Sequence, residues 1–269
     1  MVASGKSADM HVLERGDGRP IIFVHGWPTN GNIWKYQVDA LADEFHVLAV
    51  DLPGFGATPP VARPSMEAFA RAIREYIEYR QLSSVFLIGW SMGAGVVMSY
   101  LKHFGSHGLS GIGIVDDCPK LLPSDDWRAE IDTTFTRETV DRWRKAWGAG
   151  ERRSVIAELT ASEFKDPERH AATIDWAIEE SLRCDPPSAI AALVEVMELD
   201  FRPSLKTVDV PALLLYGEYS QMTTPATRSF MESTIPNARL VVFGESGHNP
   251  MIEEAERFNA EVRAFVRAL

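Results

Sequence analysis

Val85-Phe86-Leu87-Ile88-Gly89-Trp90-Ser91-Met92-Gly93 runs from a wholly apolar stretch, through a serine between two glycines, into a helix-period segment. That segment, Met92 to Phe104, ends where Gly105 is placed to serve as its C-cap. The pentapeptide Gly89 to Gly93 is therefore a GxSxG arrangement in a strand-turn-helix setting. Glycines at both ends leave room for a tight, strained turn that lifts the Ser91 hydroxyl above the carboxyl edge of a sheet. The Met92 backbone N–H, at a helix N-terminus, then points where an oxyanion would develop.

Five further apolar runs surround this turn: Ile21 to Val24, His46 to Val50, Gly111 to Val115, Ala212 to Tyr216 and Leu240 to Phe243. Bounded by Gly, Pro and Asp, they have the character of strands buried on both faces. Helix-period segments such as Ser65 to Arg80 lie between several of them, and this alternation predicts a mostly parallel sheet flanked by helices. Val2 to Arg15 reads as one or two antiparallel edge strands, turning at Ser4-Gly5 or at Gly16-Asp17-Gly18.

The alternation stops after Val115 and resumes near Ala212. Between them lie helical patterns at Thr136 to Trp147, Arg152 to Phe164, Pro167 to Arg183 and Ser188 to Leu199. The fold class expected is thus α/β, with a core of residues 1–119 and 205–269 and an inserted helical cap of residues 120–204. Trp127, Trp143, Trp147 and Trp176 make the insertion rich in tryptophan, so Trp143, Trp147 and Met197 become candidate pocket residues.

A general base must come within about 2.6–3.2 Å of the serine hydroxyl, and loops at the carboxyl edge of the sheet converge there. Gly247-His248-Asn249-Pro250 follows the last apolar run, which puts His248 ahead of the six other histidines. Upstream, the run Ile21 to Val24 leads into His25-Gly26-Trp27-Pro28, and His46 to Val50 leads into Asp51-Leu52-Pro53-Gly54-Phe55-Gly56.

In these motifs, and in their order along nearly the whole chain, the sequence resembles the α/β-hydrolase superfamily, in its serine-nucleophile, esterase- or lactonase-like branch. The resemblance implies that Trp27 supplies a second oxyanion N–H, that His25 supports its loop at the rim of the pocket beside Trp90, and that the Asp51 loop shapes the site. It also implies a catalytic acid, usually as Gly-x-x-Asp after the strand preceding the histidine strand. That position here reads Gly217-Glu218-Tyr219-Ser220, with serine where the aspartate is expected. Some relatives carry the acid one strand earlier, where this chain has Asp116 and Asp117. Asp116 is the candidate chosen, with Asp117 and Glu218 as alternatives. Such an acid orients the imidazole and stabilises the imidazolium formed during attack.

Serine as nucleophile directs the reading to acyl chemistry rather than to displacement at saturated carbon. The expected activity is hydrolysis of a carboxylic ester or lactone through an acyl-enzyme formed on Ser91, with His248 as base. Carbon-carbon bond hydrolysis and cofactor-free perhydrolysis use the same groups, and a non-catalytic receptor for a small ligand would suit the serine at position 220.

Composition narrows the partners. The 269 residues are 45% hydrophobic and 24% charged, enough to bury a sizeable core, and 38 acidic against 27 basic residues give a net charge of -11. Such a surface repels polyanions, so nucleic acid and anionic membranes are poor partners. Nowhere do about 18 apolar residues run together, and the first ten lack the pattern of a signal peptide. With Cys118 and Cys184 as the only cysteines, in no CxxC or CxxH cluster, neither a disulfide framework nor a metal site is indicated. No cofactor motif is present, and the expected partner is a small, apolar ester or lactone met in the cytoplasm.

Overall fold

The computed structural model describes residues 9–127 and 136–269. Its seven strands are β1 (Val12–Arg15), β2 (Pro20–Val24), β3 (His46–Val50), β4 (Val85–Trp90), β5 (Leu109–Val115), β6 (Ala212–Gly217) and β7 (Ala238–Phe243). They form one sheet in the order β1-β3-β2-β4-β5-β6-β7, parallel throughout except for β1, which runs antiparallel to β3. The expected α/β class with a mostly parallel sheet is what the chain adopts. Every residue of β2, β4 and β6 is buried, which is why these strands read as unbroken apolar runs. Of the opening stretch, Val12–Arg15 is the expected edge strand, while the alternative turn at Ser4-Gly5 lies outside the described residues.

Helices cover both faces. α1 (Lys35–Leu41) packs with α11 (Ala255–Ala268), and α2 (Met66–Tyr79) with α3 (Met92–Phe104). Phe86 of β4 meets Phe265 of α11, with ring centroids 5.5 Å apart, whereas a side chain on Gly89 would strike the backbone of α3. Residues 86 and 89 point to opposite faces of a strand, so the two helix pairs sandwich the sheet.

Between β5 and β6 lie α4 (Arg137–Gly148), α5 (Arg152–Ser162), α6 (Ala171–Ser181), α7 (Pro186–Glu198) and the short α8 (Arg202–Leu205). Two starts differ from expectation. The segment foreseen from Pro167 becomes helical only at Ala171, because the Asp166 carboxylate accepts the Arg169 N–H (3.1 Å) and holds a turn there. The segment foreseen from Ser188 begins at Pro186, since Asp185 caps it by accepting the Ser188 N–H (2.9 Å) and Pro186 suits the first helical position. The remaining helices, α9 (Pro225–Thr234) and α10 (Pro250–Glu253), follow β6 and β7.

The turn between β4 and α3 depends on close backbone approach. A Cβ on Gly89 would lie well inside contact distance of the Gly93 carbonyl, and one on Gly93 would meet the Val24 and His25 carbonyls at the end of β2. Gly89→Ala should therefore cost about 1–3 kcal/mol in urea unfolding. Gly148→Ala, where a Cβ meets nothing within 4 Å, should change stability by less than about 1 kcal/mol. Equal effects at the two positions would contradict this packing.

Candidate active site

Ser91 sits at the β4–α3 turn with φ 52°, and Asp116 follows β5 with φ 45°. Both are left-handed positions that cost a non-glycine residue about 1–3 kcal/mol, and the surrounding ladder imposes them. Ser91 donates its N–H to the Val115 carbonyl (3.0 Å), and Asp116 donates its own to Leu215 (2.9 Å).

The Asp116 carboxylate is fully buried and accepts from several donors. Oδ2 takes the Gly217 N–H at 2.7 Å; Oδ1 takes the Ser220 hydroxyl at 2.6 Å, His248 Nδ1 at 3.2 Å and, more distantly, the Thr223 hydroxyl at 3.4 Å. A carboxylate only accepts, so His248 carries its proton on Nδ1 and presents Nε2 as a free lone pair. Ser220, at the position where an aspartate was expected, thus bonds to the Asp116 carboxylate. Glu218 is half exposed and pairs with Arg228 (2.8 Å), away from the imidazole.

The backbone of His248 is held at both ends: its N–H donates to the Glu163 carbonyl (2.7 Å) and its carbonyl accepts from Trp90 Nε1 (2.9 Å). Burial pulls the His248 pKa down, but the hydrogen bond and charge of Asp116, with the charges of Glu163 and Asp117, outweigh it and leave it above 6.5. His25 is the contrasting case. Its Nδ1–H donates to the Gly26 carbonyl (2.9 Å), its Nε2 accepts the Leu52 N–H (3.0 Å), and burial lowers its pKa. These bonds brace the loop. The Asp51 carboxylate does the same for the neighbouring turn, accepting the N–H groups of Gly31 (2.7 Å) and Ala57 (2.8 Å).

Ser91, His248, Trp27 and Met92 line one cavity, together with Asp117, Leu121, Leu159, Glu163, Leu193, Val196 and Met222. The Trp27 and Met92 backbone N–H groups have no acceptor among the described residues. Nor does the Ser91 hydroxyl take part in a side-chain hydrogen bond there, and such bonds commonly tighten only when substrate is bound.

Of the expected pocket residues, His25, Trp90, Trp143, Trp147 and Met197 stand outside this wall. His25 is spent on its loop and Trp90 on the His248 carbonyl. Trp143 stacks on Trp27 at 6.1 Å between centroids and Trp147 leans on it at 5.3 Å, so both back the cavity through Trp27. Met197 turns into the buried core, and its neighbour Val196 takes the wall instead. Asp117 and Glu163 are the wall residues with ionisable side chains that the sequence left unassigned to the pocket; the buried aspartate pair at the end of β5 was the one available signal. Among the described residues no group of three or more His, Cys, Asp or Glu is arranged to hold a metal, and no helix is long and apolar enough to cross a membrane.

A family model described as "alpha/beta hydrolase fold" matches residues 19–255, and the chain belongs to that family. A pimeloyl-[acyl-carrier protein] methyl ester esterase of Vibrio cholerae serotype O1 is 28% identical over 262 residues, covering 93% of this chain and 95% of the relative. Among solved structures, an esterase from Exiguobacterium antarcticum is similar at a TM-score of 0.88 and 26% identity, over 96% of this chain and 95% of that one. A thermophilic esterase from Thermogutta terrifontis gives a TM-score of 0.83 at 26% identity, over 96% and 93%.

The two buried histidines should separate by NMR titration of their ring signals. His248 is expected to titrate above 6.5 and His25 to remain neutral down to below 6.5, and Asp116→Asn should lower the His248 midpoint. A His248 midpoint unmoved by that substitution would mean the carboxylate does not set its charge.

Proposed function

We propose that this chain is a serine hydrolase that cleaves a small carboxylic ester or lactone through an acyl-enzyme. The observation that carries the reading is the buried Asp116–His248 contact (3.2 Å), made by a histidine that lines the same cavity as Ser91. In this reading His248 Nε2 takes the Ser91 proton as Oγ attacks the carbonyl. The Trp27 and Met92 N–H groups stabilise the oxyanion. The imidazolium then returns its proton to the leaving alcohol, and water repeats the sequence to release the acid.

The relatives named for ester hydrolysis favour this over carbon-carbon cleavage or perhydrolysis. The receptor alternative drew on the serine at 220; its hydroxyl bonded to Asp116 removes that motive. Residues 120–204 act as the cap: Trp27 Nε1 donates to Ala189 of α7 (2.7 Å), and Leu159, Glu163, Leu193 and Val196 supply much of the cavity wall. The apolar part of the substrate rests on the leucines, Val196 and Met222. Two unpaired, buried thiols suit a cytoplasmic setting.

A fluorophosphonate should label Ser91 and end turnover of 4-nitrophenyl acetate; labelling elsewhere with activity kept would sink the assignment. Asp116→Asn should lower kcat by about 10⁴, near 5 kcal/mol of barrier, by favouring the wrong His248 tautomer. Glu218→Gln, whose side chain pairs with Arg228, should leave kcat within a few-fold. Near-normal turnover in Asp116→Asn would remove Asp116 from the mechanism.

A further inference from the structure

Resting on the reading of this cavity as the site of ester hydrolysis, we infer that Asp117 and Glu163 form an acidic subsite that selects substrates carrying an ammonium group. Besides His248, these two carboxyl groups are the ionisable side chains of the wall among the described residues, none of whose lysines or arginines lines it. Asp117 stands only 4% exposed at the end of β5, and Glu163 is half-buried just beyond α5. They reach the cavity from different elements, Asp117 from just after β5 and Glu163 from just after α5.

Neither carboxyl group has a cationic partner within ion-pair distance among the described residues. What surrounds them argues against a purely structural role. Asp117 has the backbone N–H of Cys118 for company and Glu163 the side chain of Asn249, and His248 is the one group of opposite charge in electrostatic reach of both. Asp116 already serves His248 by direct contact. Burial pushes Asp117 up to about 8 and Glu163 up to about 7, so each resists ionising while the cavity lacks a cation. Two such groups facing a cavity that is apolar apart from Ser91 and His248 are an unfavourable arrangement in the absence of compensating charge.

A bound ammonium supplies that charge. It pairs with both carboxylates, draws their protons off, and can rest against Trp27, which shares the wall. A carboxylate or phosphate on the substrate would meet two acids and no counter-charge. The net charge of -11 works in the same direction at longer range, concentrating cations near the surface. The substrate class is therefore an ester or lactone with a short apolar portion and an amine, held with the amine toward Asp117 and Glu163.

Binding can be read without turnover. Calorimetric titration of Ser91→Ala protein at pH 7.5 and low salt would compare butylammonium, 1-butanol and butyrate. Butylammonium should bind at least about tenfold more tightly than 1-butanol, a difference of about 1.4 kcal/mol, with butyrate weaker than both. Its binding should also release protons, seen as a heat that varies with the ionisation enthalpy of the buffer. Asp117→Asn and Glu163→Gln, each introduced into that background and checked by thermal melting, should each weaken butylammonium about fivefold or more and leave 1-butanol within twofold. Either variant suffices if the other does not fold. Equal binding of 1-butanol and butylammonium, or a ranking that survives the substitutions, would overturn the subsite. Hydrolysis of 4-nitrophenyl acetate by the unaltered protein tests the ester-hydrolase reading separately, so its failure is not mistaken for failure of the subsite.

Discussion

The Asp116 carboxylate is the contact on which the site depends. It lies at the junction of three strand ends, accepting the Gly217 N–H from β6, the Ser220 hydroxyl beyond β6 and the His248 imidazole beyond β7. The donors hold two loops, the one leaving β6 and the one after β7, and a buried carboxylate is tolerable only when its lone pairs are used in this way. Remove the charge and these two loops lose a common anchor. The left-handed backbone at residue 116 belongs to the same arrangement, because it turns the side chain back across the sheet edge toward the histidine.

The sheet was legible because its central strands are buried on both faces. Ile21 to Val24 and Ala212 to Tyr216 can hardly be anything but strands between helix layers, and the apolar pattern carries through. The turn around Ser91 was legible for a related reason: Gly89 and Gly93 are demanded by backbone atoms that a side chain would strike. The start of α7 was misjudged because the Asp185-Pro186 cap outranks the apolar period that begins at Ser188. The wall of the cavity was the least legible part. Whether Trp143 or Leu159 faces the substrate depends on how α4 and α5 lean on Trp27, and nothing in the local pattern of either helix records that. Asp117 was noticed as a rival to Asp116 and not as a wall residue, because neighbouring side chains at the end of a strand go to different places, one to the histidine and one to the cavity.

Trp27 links these levels. It forms part of the cavity wall, its indole N–H reaches Ala189, and Trp143 and Trp147 pack against its ring. Tryptophans far from the reacting atoms therefore govern the shape of the cavity by packing. Substitution of Trp143 is a change to the position of Trp27, transmitted through a stacked pair of rings.

The bond between Ser220 and Asp116 also bears on how such sites change over time. Two strand ends bring residues 116 and 220 within 2.6 Å of each other, so a carboxylate at either place lies near the same imidazole. A lineage can move the charge from one strand to the other without rebuilding the loops between. The order of the two exchanges matters: a stage with both acids would have two like charges share one proton and keep the histidine oriented, whereas a stage with neither would leave it unoriented. Of the two routes, the one through the doubly acidic stage is the one that keeps the imidazole oriented throughout, and the 2.6 Å bond between the Ser220 hydroxyl and Asp116 marks how close the two places lie.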